Sequence, residues 1–396
     1  MRNKTRVLLT DGHWAKTLAA TRSLGRRGIR VTVGESTPIA TSFFSRYCSR
    51  RWVYPSPYFH PEAFLEALIK EVKSRAYEVL IPMEEQTTLL ITRYRSYLEP
   101  YTRIPFTGFS SLDQARRKDE VLRLALKIGI PIPKTLFPES LDAVPDLFPE
   151  VPIPAVIKPR IGSGSTGIVY VYDQKGFWPA YQKVHRKYPL PLIQEFIPPG
   201  GPALGASFLF GPDQEPLAYF IHKRIREYPV KGGPSTLRES SYDPEVHRLG
   251  ESLLRALGWF GVAMVEFRYD PRDGRPKLME INPRFWGSLP LAVYAGVDFP
   301  YLLFQMALEQ PMEKMEGYAL GKRCRWILPG DLLHFIKNPE RFRMKPSFFR
   351  FFDKDTAHDF YQSKDPLPVL GRLLTLITLL YDQDMRRLLH ERIQRT

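Results

Sequence analysis

Residues 261–270 (GVAMVEFRYD) and 274–284 (GRPKLMEINPR) contain the pattern that decides the fold. Both stretches alternate apolar and polar residues, and the DPRDG turn between them is rich in Asp, Pro and Gly, so they predict a β-hairpin. Residues two apart on a strand point to one face of a sheet, which places Glu280 beside Asn282, with Glu266 on the neighbouring strand. These acids stand among Met, Val, Phe and Ile, where a charge is costly without a compensating partner.

The predicted hairpin presents hard oxygen donors. Two carboxylates and an amide, with Arg284 close by in sequence, suit Mg²⁺ shared with substrate phosphates better than a transition metal. The alternative is a surface hairpin with solvated acids, which the apolar neighbours disfavour. We therefore expect a magnesium site formed by Glu266, Glu280 and Asn282.

The composition is that of a globular protein with two or three domains. The chain has 396 residues, of which 43% are hydrophobic. Its two cysteines, Cys48 and Cys324, are too far apart for a zinc motif or a disulfide framework, which favours a reducing, cytoplasmic location. The start of the chain has only a short apolar run and predicts a first strand instead of a signal peptide.

The net charge of +15 comes from the two ends of the chain. Residues 1–60 hold 11 Lys or Arg against 2 acids, and residues 321–396 hold 15 against 9, while the segment between them is neutral. This distribution favours an anionic substrate or anionic surroundings, and we expect no specific nucleic-acid partner.

Alternating strand and helix patterns over the first 110 residues predict a parallel sheet with helices on its faces. The first turn, residues 10–13, lacks GxGxxG, so a dinucleotide site is disfavoured. The predicted strand ends at Asp11, Glu35 and Glu84 are candidates for part of a pocket.

Two lysines and a glycine-rich loop follow. Lys118 lies in the first half of a helix predicted over 110–128, and Lys158 ends a strand. The loop after that strand has backbone N–H groups that could close over phosphates, although such a loop alone is more often a hairpin turn. The loop residues are Gly162, Ser163, Gly164, Ser165, Thr166 and Gly167.

The strand LIQEFI (192–197) stops at a Pro/Gly break, so Glu195, Phe196 and Ile197 could present free backbone groups to a planar heterocycle such as adenine. Further along, residues 222–240 combine several cations with a Gly-Gly-Pro-Ser-Thr turn. This run predicts anion binding at least as strongly as it predicts a solvated face.

The ordered set, from the connector lysine to MEINPR, resembles the ATP-grasp superfamily over roughly residues 1–310. The resemblance is closest to carboxylate–amine ligases, including the synthetase half of carbamoyl-phosphate synthase and biotin carboxylase. It implies a mixed α/β and α+β protein: a parallel-sheet domain, a two-lobed ATP-grasp unit, and a basic, mostly helical C-terminal extension. The implied parts are a pre-ATP-grasp domain (1–110), a connector helix (111–135), a lid (136–197), a catalytic subdomain (198–320) and the extension (321–396).

The resemblance also implies the roles of the residues. Lys118, Lys158 and the Gly/Ser loop would contact the phosphates of ATP, and Glu195, Phe196 and Ile197 would contact adenine. Two Mg²⁺ ions, with Mn²⁺ as an alternative, would be held by Glu266, Glu280 and Asn282. The catalytic cations would be Arg284, Lys223 and Arg224, and the substrate pocket would include Glu84, Gly233, Ser235 and Trp286.

One departure from the family concerns the ribose. Many members have an acid a few residues after the adenine strand that holds the ribose hydroxyls, whereas residues 201–207 (GPALGAS) have none. The ribose contact is therefore left without a candidate.

The expected activity is that of an ADP-forming ligase that activates a small-molecule carboxylate as an acyl phosphate and couples it to an amine. An ATP-grasp kinase, a bicarbonate-activating enzyme and an inactive protein that binds an anionic surface remain alternatives. Trp286 could contact substrate or simply pack, and a homodimer stays open. The apolar run at 366–381 predicts either a packed helix or peripheral contact with a membrane or another protein.

Overall fold

The computed structural model describes residues 5–162, 167–230, 232–312, 315, 317–351 and 353–378. Their strands form three sheets, which correspond to an N-terminal α/β domain, a small lid and a larger catalytic sheet. The predicted mixed α/β fold is confirmed.

The N-terminal sheet is parallel, with the order β3-β2-β1-β4. The sequence pattern missed the edge strand β3 because this strand carries an arginine on each face, Arg51 exposed and Arg50 half-buried, where apolar alternation would mark a strand. Strands β2 and β3 lie on one side of β1, and β4 lies on the other side. Open α/β sheets bind ligands at the carboxyl ends of the strands where the strand order reverses in this way, which here is between β1 and β4. The elements are β1 (Arg6–Leu9), α1 (Ala15–Arg26), β2 (Arg30–Glu35), β3 (Cys48–Val53), α2 (Pro61–Arg75), β4 (Val79–Ile81) and α3 (Glu85–Arg93).

The connector is two helices, α4 (Phe109–Arg116) and α5 (Lys118–Lys127), where the sequence predicted one. The break falls at Arg117, whose backbone is extended. The N–H of Lys118 then donates to the carbonyl oxygen of Arg160 in the lid, at 2.8 Å, instead of continuing α4. Lys118 therefore begins a helix and does not lie inside one.

The lid is a four-stranded antiparallel sheet with the order β5-β8-β6-β7. It has its own hydrophobic core, in which the rings of Phe177 and Tyr181 are fully buried. The strand–loop–strand prediction around the glycines is confirmed, because β6 and β7 pair across that loop. The elements are β5 (Thr135–Leu136), β6 (Ala155–Lys158), β7 (Val169–Val171), α6 (Gln174–Lys187) and β8 (Leu192–Glu195).

The catalytic sheet has seven strands in the order β13-β12-β9-β10-β11-β14-β15. The predicted hairpin is confirmed as the antiparallel pair β12 and β13. The described part of the basic run at 222–240 is mostly paired strand, and residues 228–230 and 232–234 lie between β10 and β11 outside the strands. The elements are β9 (Ala203–Phe210), β10 (Pro216–Glu227), β11 (Ser235–Ser241), α7 (Pro244–Ala256), β12 (Gly261–Asp270), β13 (Arg275–Asn282), α8 (Leu289–Ala295) and α9 (Phe299–Ala307).

The segment after residue 320 adds two strands to this sheet and then returns to the N-terminal domain. There Asp365 accepts hydrogen bonds from Arg22 Nε and Ser45 Oγ, both at 2.8 Å, and α11 packs on Phe44. Within the described residues, no helix is long and apolar enough to span a bilayer. The elements are β14 (Arg323–Arg325), α10 (Leu332–Lys337), β15 (Thr356–His358) and α11 (Pro368–Thr378), and the rest of the predicted 366–381 run lies outside the described residues.

Candidate active site

A cleft of about 950 Å³ opens where the three sheets meet. The N-terminal domain contributes Lys16 and Glu84, the lid contributes Lys158 and Glu195, and the catalytic sheet contributes Glu266 among others. The cleft thus collects side chains that lie far apart in sequence. We call the part beside β12 and β13 the hairpin end, and the part beside α1 and α3 the N-terminal end.

The hairpin end contains the predicted acidic pair. Glu266 and Glu280 are direct partners in the β12–β13 register, so their side chains share one face. Asn282 is buried on the same strand as Glu280 and donates from Nδ2 to Glu266 Oε1 at 3.0 Å. The structure therefore brings Glu266, Glu280 and Asn282 together as the sequence predicted.

Two buried lysines face this acidic pair. Lys118 Nζ lies 3.2 Å from Glu280 Oε2 and also donates to the carbonyl oxygen of Gly162. Lys158 Nζ donates to the carbonyl oxygen of Met279 at 3.0 Å. Burial, with repulsion from Lys118, lowers the pKa of Lys158 to about 8.

The same cations set the ionisation of the acids. Burial alone would raise the pKa of Glu280, but the charges of Lys118 and Lys158 outweigh it and lower that pKa. Burial raises the pKa of Glu266, and repulsion from Glu280 adds to this against the attraction of Arg224. Two carboxylates on neighbouring strands therefore have pKa values shifted in opposite directions.

Arg224 reaches the hairpin end, whereas Lys223 does not. Arg224 pairs with Glu266 and lies 3.3 Å from Glu227 Oε1, and these acids raise its pKa although burial opposes them. The Nζ of Lys223 pairs instead with Glu239 Oε1 at 2.8 Å, and Lys223 is absent from the cleft lining. The prediction for Lys223 fails because alternate residues of a strand point to opposite faces, and β10 continues through both cations.

The predicted adenine strand borders the cleft on the lid side. The backbone N–H groups of Glu195 and Phe196 are used within the protein, because they donate to the carbonyl oxygens of Lys134 (2.8 Å) and Pro154 (3.0 Å). The N–H of Ile197 has no hydrogen-bond partner among the described residues. Ile197 therefore offers a free backbone donor at the cleft edge.

The glycine-rich loop is described only at its two ends. Gly162 and Gly167 both have a positive φ, of 140° and 73°, which favours glycine. A Cβ on Gly167 would also meet the ring of Tyr188 at 2.5 Å, so this turn requires glycine on two grounds. The predicted phosphate-loop residues Ser163, Gly164, Ser165 and Thr166 lie outside the described residues.

The turn after β10 brings Gly233 and Ser235 to the cleft wall. A Cβ on Gly233 would lie 2.3 Å from the carbonyl oxygen of Tyr228, so only glycine fits this position. The Ser235 hydroxyl donates to the carbonyl oxygen of Leu237 at 3.0 Å. Both residues thus reach the predicted region.

The N-terminal end is built around Glu84. Its Oε1 lies 2.7 Å from Lys16 Nζ, and its Oε2 lies 3.8 Å from Arg284 Nε. Burial alone would raise the pKa of Glu84, but Lys16 and Arg284 outweigh it and lower that pKa. Burial, with repulsion from Arg284, lowers the pKa of Lys16 to about 8. One carboxylate therefore serves two buried cations.

Asp11 holds Glu84 in this position. Its carboxylate accepts the backbone N–H of Glu84 at 2.9 Å and the hydroxyl of Thr87 at 2.6 Å. Asp11 itself has a φ of 61°, a conformation that only a few residue types adopt readily. The carboxyl ends of β1 and β4 are thereby locked together beside the cleft.

Trp286 is part of the core. Its side chain is fully buried, and its ring meets Phe299 edge-on at a centroid distance of 5.0 Å. Trp286 is also among the residues that line the cleft, so its position is compatible with both packing and contact with a substrate.

The comparisons with known proteins agree with this architecture. The model of a family described as "ATP-grasp in the biosynthetic pathway with Ter operon" matches residues 219–327. The biotin carboxylase domain of the Hydrogenobacter thermophilus 2-oxoglutarate carboxylase, solved with MgADP and bicarbonate, superposes with a TM-score of 0.66 at 13% identity, covering 81% of this chain and 73% of that chain. The chain has the ATP-grasp fold.

Two further relatives extend the comparison. The L-amino acid ligase of Bacillus licheniformis shares the ATP-grasp fold with a TM-score of 0.61 at 20% identity, covering 79% of this chain and 76% of that chain. The carbamoyl phosphate synthase large chain, C-terminal section, of Methanopyrus kandleri is 24% identical over 278 residues, which is 64% of this chain. The present chain spans only 50% of the length of that curated relative.

Glu227 is one of the cleft residues that the sequence pattern did not reveal. Glu227 ends β10 and lines the cleft, between Arg224 at 3.3 Å and Arg268 Nη2 at 3.8 Å. Arg268 pairs with Ala203, and Ala203 belongs to residues 201–207, the stretch that has no acid to hold the ribose hydroxyls. Strict alternation would place Glu227 on the face of Lys223, away from the cleft, but the register shifts of β10 between Arg224 and Glu227 bring it to the cleft side.

The donor set at the hairpin end fits Mg²⁺. No group of three or more His, Cys, Asp or Glu side chains in the described part of the chain has the geometry of an all-protein metal site. Two carboxylates and an amide, with buried cations beside them, instead match a hard cation that shares its remaining positions with water and phosphate oxygens.

Proposed function

We propose that this protein is an ATP-dependent, ADP-forming carboxylate–amine ligase. The observation that carries the proposal is the hairpin end, where Glu266, Glu280 and Asn282 share one face opposite Lys118 and Arg224. A solvated surface hairpin would not keep these groups buried and paired. The ATP-grasp fold and the named ligases among its relatives support the same class of reaction.

The residues of the hairpin end bind the triphosphate. Lys158 and Gly162 line the cleft, and Lys118 donates to the carbonyl oxygen of Gly162, so both lysines can supply positive charge to phosphate oxygens. Glu266, Glu280 and Asn282 would hold one or two Mg²⁺ ions, or Mn²⁺, which would neutralise charge on the phosphates as it develops. When these acids take up a cation, Lys118 and Arg224 exchange their carboxylate partners for phosphate oxygens.

The nucleoside lies against the lid. The free N–H of Ile197 suits a ring nitrogen acceptor of adenine, and Tyr170 and Tyr172 pack edge-on against Phe196 beside it. Glu227 binds the ribose hydroxyls in place of the acid that residues 201–207 lack. It lies 3.8 Å from Arg268, the strand partner of Ala203 in that stretch. Its carboxylate can accept hydrogen bonds from two adjacent hydroxyls.

The carboxylate substrate binds at the N-terminal end. Lys16 lies 2.7 Å from Glu84, whereas Arg284 is 3.8 Å from it and its buried Nε has no hydrogen-bond partner among the described residues, so Arg284 is the group that can meet an anion. The substrate carboxylate attacks the terminal phosphorus of ATP, its C–O oxygen forms the new bond to phosphorus, and ADP leaves. An amine then attacks the acyl carbon of the acyl phosphate, phosphate leaves, and an amide remains.

ADP release over a panel of amino acids, dipeptides and sugar acids, each with hydroxylamine as the amine, tests this proposal. The expected result is Mg²⁺-dependent ADP formation matched by a hydroxamate, since hydroxylamine traps an acyl phosphate. A stable phosphoester in place of the hydroxamate would show a kinase instead. ATP binding that is unchanged by Mg²⁺, with no ADP formed, would show an inactive relic of the fold.

A further inference from the structure

Helix α11 carries an exposed apolar face on the outside of the molecule. Leu370, Leu373 and Ile377 recur at helical spacing, and their exposed fractions are 49%, 44% and 49%. Leu367, just before the helix, is 58% exposed. We call these four residues the α11 stripe. Single exposed apolar side chains need no explanation, but three at helical spacing on one helix, with a fourth just before it, indicate a contact surface.

The stripe is fixed to the body of the protein. Gly371, within the same helix, packs so closely on Phe44 that an added Cβ would lie 2.5 Å from its ring. The segment before the helix is anchored by Asp365, which accepts from Arg22 Nε and Ser45 Oγ. The helix therefore presents its outer face at a set angle, as a part of the N-terminal domain surface.

Exposed cations surround the stripe. Arg51 lies over the ring of Phe44, with its guanidinium carbon 5.7 Å from the ring centroid, and Phe44 is the residue on which α11 packs. Arg46 donates to the carbonyl oxygen of Lys364 at 3.4 Å, directly before the helix, and Arg26 bonds to Gln362. Arg26, Arg46, Arg51 and Lys364 are all exposed.

No acid offsets these cations within the segments that form the face. Residues 5–60 contain only Asp11 and Glu35 as acids, and residues 356–378 contain only Asp359 and Asp365. All four side chains are buried, with at most 7% of any residue exposed. The surface that these segments present is therefore apolar at its centre and cationic around it.

We propose that this face docks on an anionic lipid surface. The apolar stripe matches the depth of the acyl chains just below the headgroups, and the arginines match headgroup phosphates. A nucleic acid would use the cations but leave the leucines in water. Because the stripe lies on the N-terminal domain, docking leaves the lid and hairpin end of the cleft to function independently, and the inference does not rest on the proposed ligase activity.

Sedimentation of the full-length protein with phosphatidylglycerol vesicles and with phosphatidylcholine vesicles tests this proposal. We expect binding to the anionic vesicles that weakens as salt is raised, and at least a ten-fold weaker partition for Leu370→Gln/Leu373→Gln, because two leucines no longer bury apolar surface in the bilayer. Arg46→Gln/Arg51→Gln should weaken the partition by about five-fold per cation removed.

Matched controls replace equally exposed residues elsewhere. Leu126→Gln/Leu320→Gln and Lys73→Gln/Lys127→Gln remove apolar and cationic side chains away from α11 and should bind vesicles as the unaltered protein does. Absence of binding, equal binding to both lipids, or full binding by the stripe variant would overturn the proposal. Self-association that the stripe variant abolishes, without vesicle binding, would show that a second copy covers the stripe and would also overturn it.

Discussion

At the hairpin end of the cleft, two carboxylates face each other across neighbouring strands, whereas at the N-terminal end one carboxylate serves two cations. The first arrangement pushes the pKa of Glu266 up and holds that of Glu280 down, so it favours an added cation. The second lowers the pKa of Lys16 and, among the described residues, leaves the buried Nε of Arg284 without a hydrogen-bond partner, so it favours an added anion. From this difference we assign the metal-bound phosphates to the hairpin end and the substrate carboxylate to the N-terminal end, so that the carboxylate meets the terminal phosphorus between the two ends.

The variant with the largest expected loss of activity removes a negative charge from the hairpin end. Glu280→Gln should lower the rate of ADP formation by about 100-fold or more, since it removes a negative ligand from the site where phosphate charge is neutralised. The matched control is Glu215→Gln, an exposed carboxylate paired with Arg255 outside the cleft, which should keep the normal rate. Near-normal turnover by the Glu280 variant would show that the hairpin is not the phosphate site.

The second test addresses the N-terminal end. Arg284→Gln should lower kcat/KM for the carboxylate substrate by about 30-fold, the effect of losing one hydrogen bond to a charged group in a buried site. Calorimetry should find the affinity for Mg-ATP almost unchanged in this variant. An equal loss of ATP affinity would mean that Arg284 belongs to the phosphate site, and the two ends would no longer be distinct.

The third test uses pH. Lys158 has a pKa of about 8, below the usual value of a lysine, because it is buried. Only its charged form attracts phosphate, so ATP binding by the free protein should be full below pH 8 and weaken above it, by up to about ten-fold per pH unit. Lys158→Arg should move this decline to higher pH, because arginine keeps its charge. A decline that stays at the same pH in the variant would exclude Lys158 as its origin.

The smallest expected effect concerns the ribose. Glu227→Gln should weaken ATP binding by about five-fold while affecting 2′-deoxy-ATP less, because one charged acceptor of a hydroxyl is lost. The comparison of the two nucleotides is the decisive measurement. Equal weakening for both would assign Glu227 to holding Arg224 and Arg268 in place, and not to the sugar.

The sequence predicted the hairpin end well because its information is local. Glu266, Glu280 and Asn282 are placed by strand alternation and one turn, and the structure brings them together. Alternation does not predict β10 in the same way, because register shifts between Arg224 and Glu227 bring both residues to the cleft side although they are three positions apart. Local patterns are thus reliable only where the strand is regular.

The N-terminal end was predicted less completely because its contacts are distant in sequence. Lys16 donates to the carbonyl oxygen of Phe285 at 3.0 Å, across 269 positions, and nothing around Lys16 in α1 marks it as a cleft residue. Asp11 was recognised only as a strand end, since its role in holding the Glu84 backbone depends on the packing of β1 against β4. Tertiary packing, and not local pattern, creates these positions.

Transfer of ¹⁸O from the substrate carboxylate to phosphate is the most direct test of the central claim, that the cleft forms an acyl phosphate from ATP and a carboxylate. With a substrate labelled with ¹⁸O in its carboxyl group, the phosphate released with ADP should contain one labelled oxygen, because the carboxylate oxygen remains on phosphorus when the amine displaces it. Glu280→Gln should form neither ADP nor labelled phosphate at a comparable rate. Unlabelled phosphate released together with amide product would contradict the acyl-phosphate route and, with it, the assignment of the two ends of the cleft.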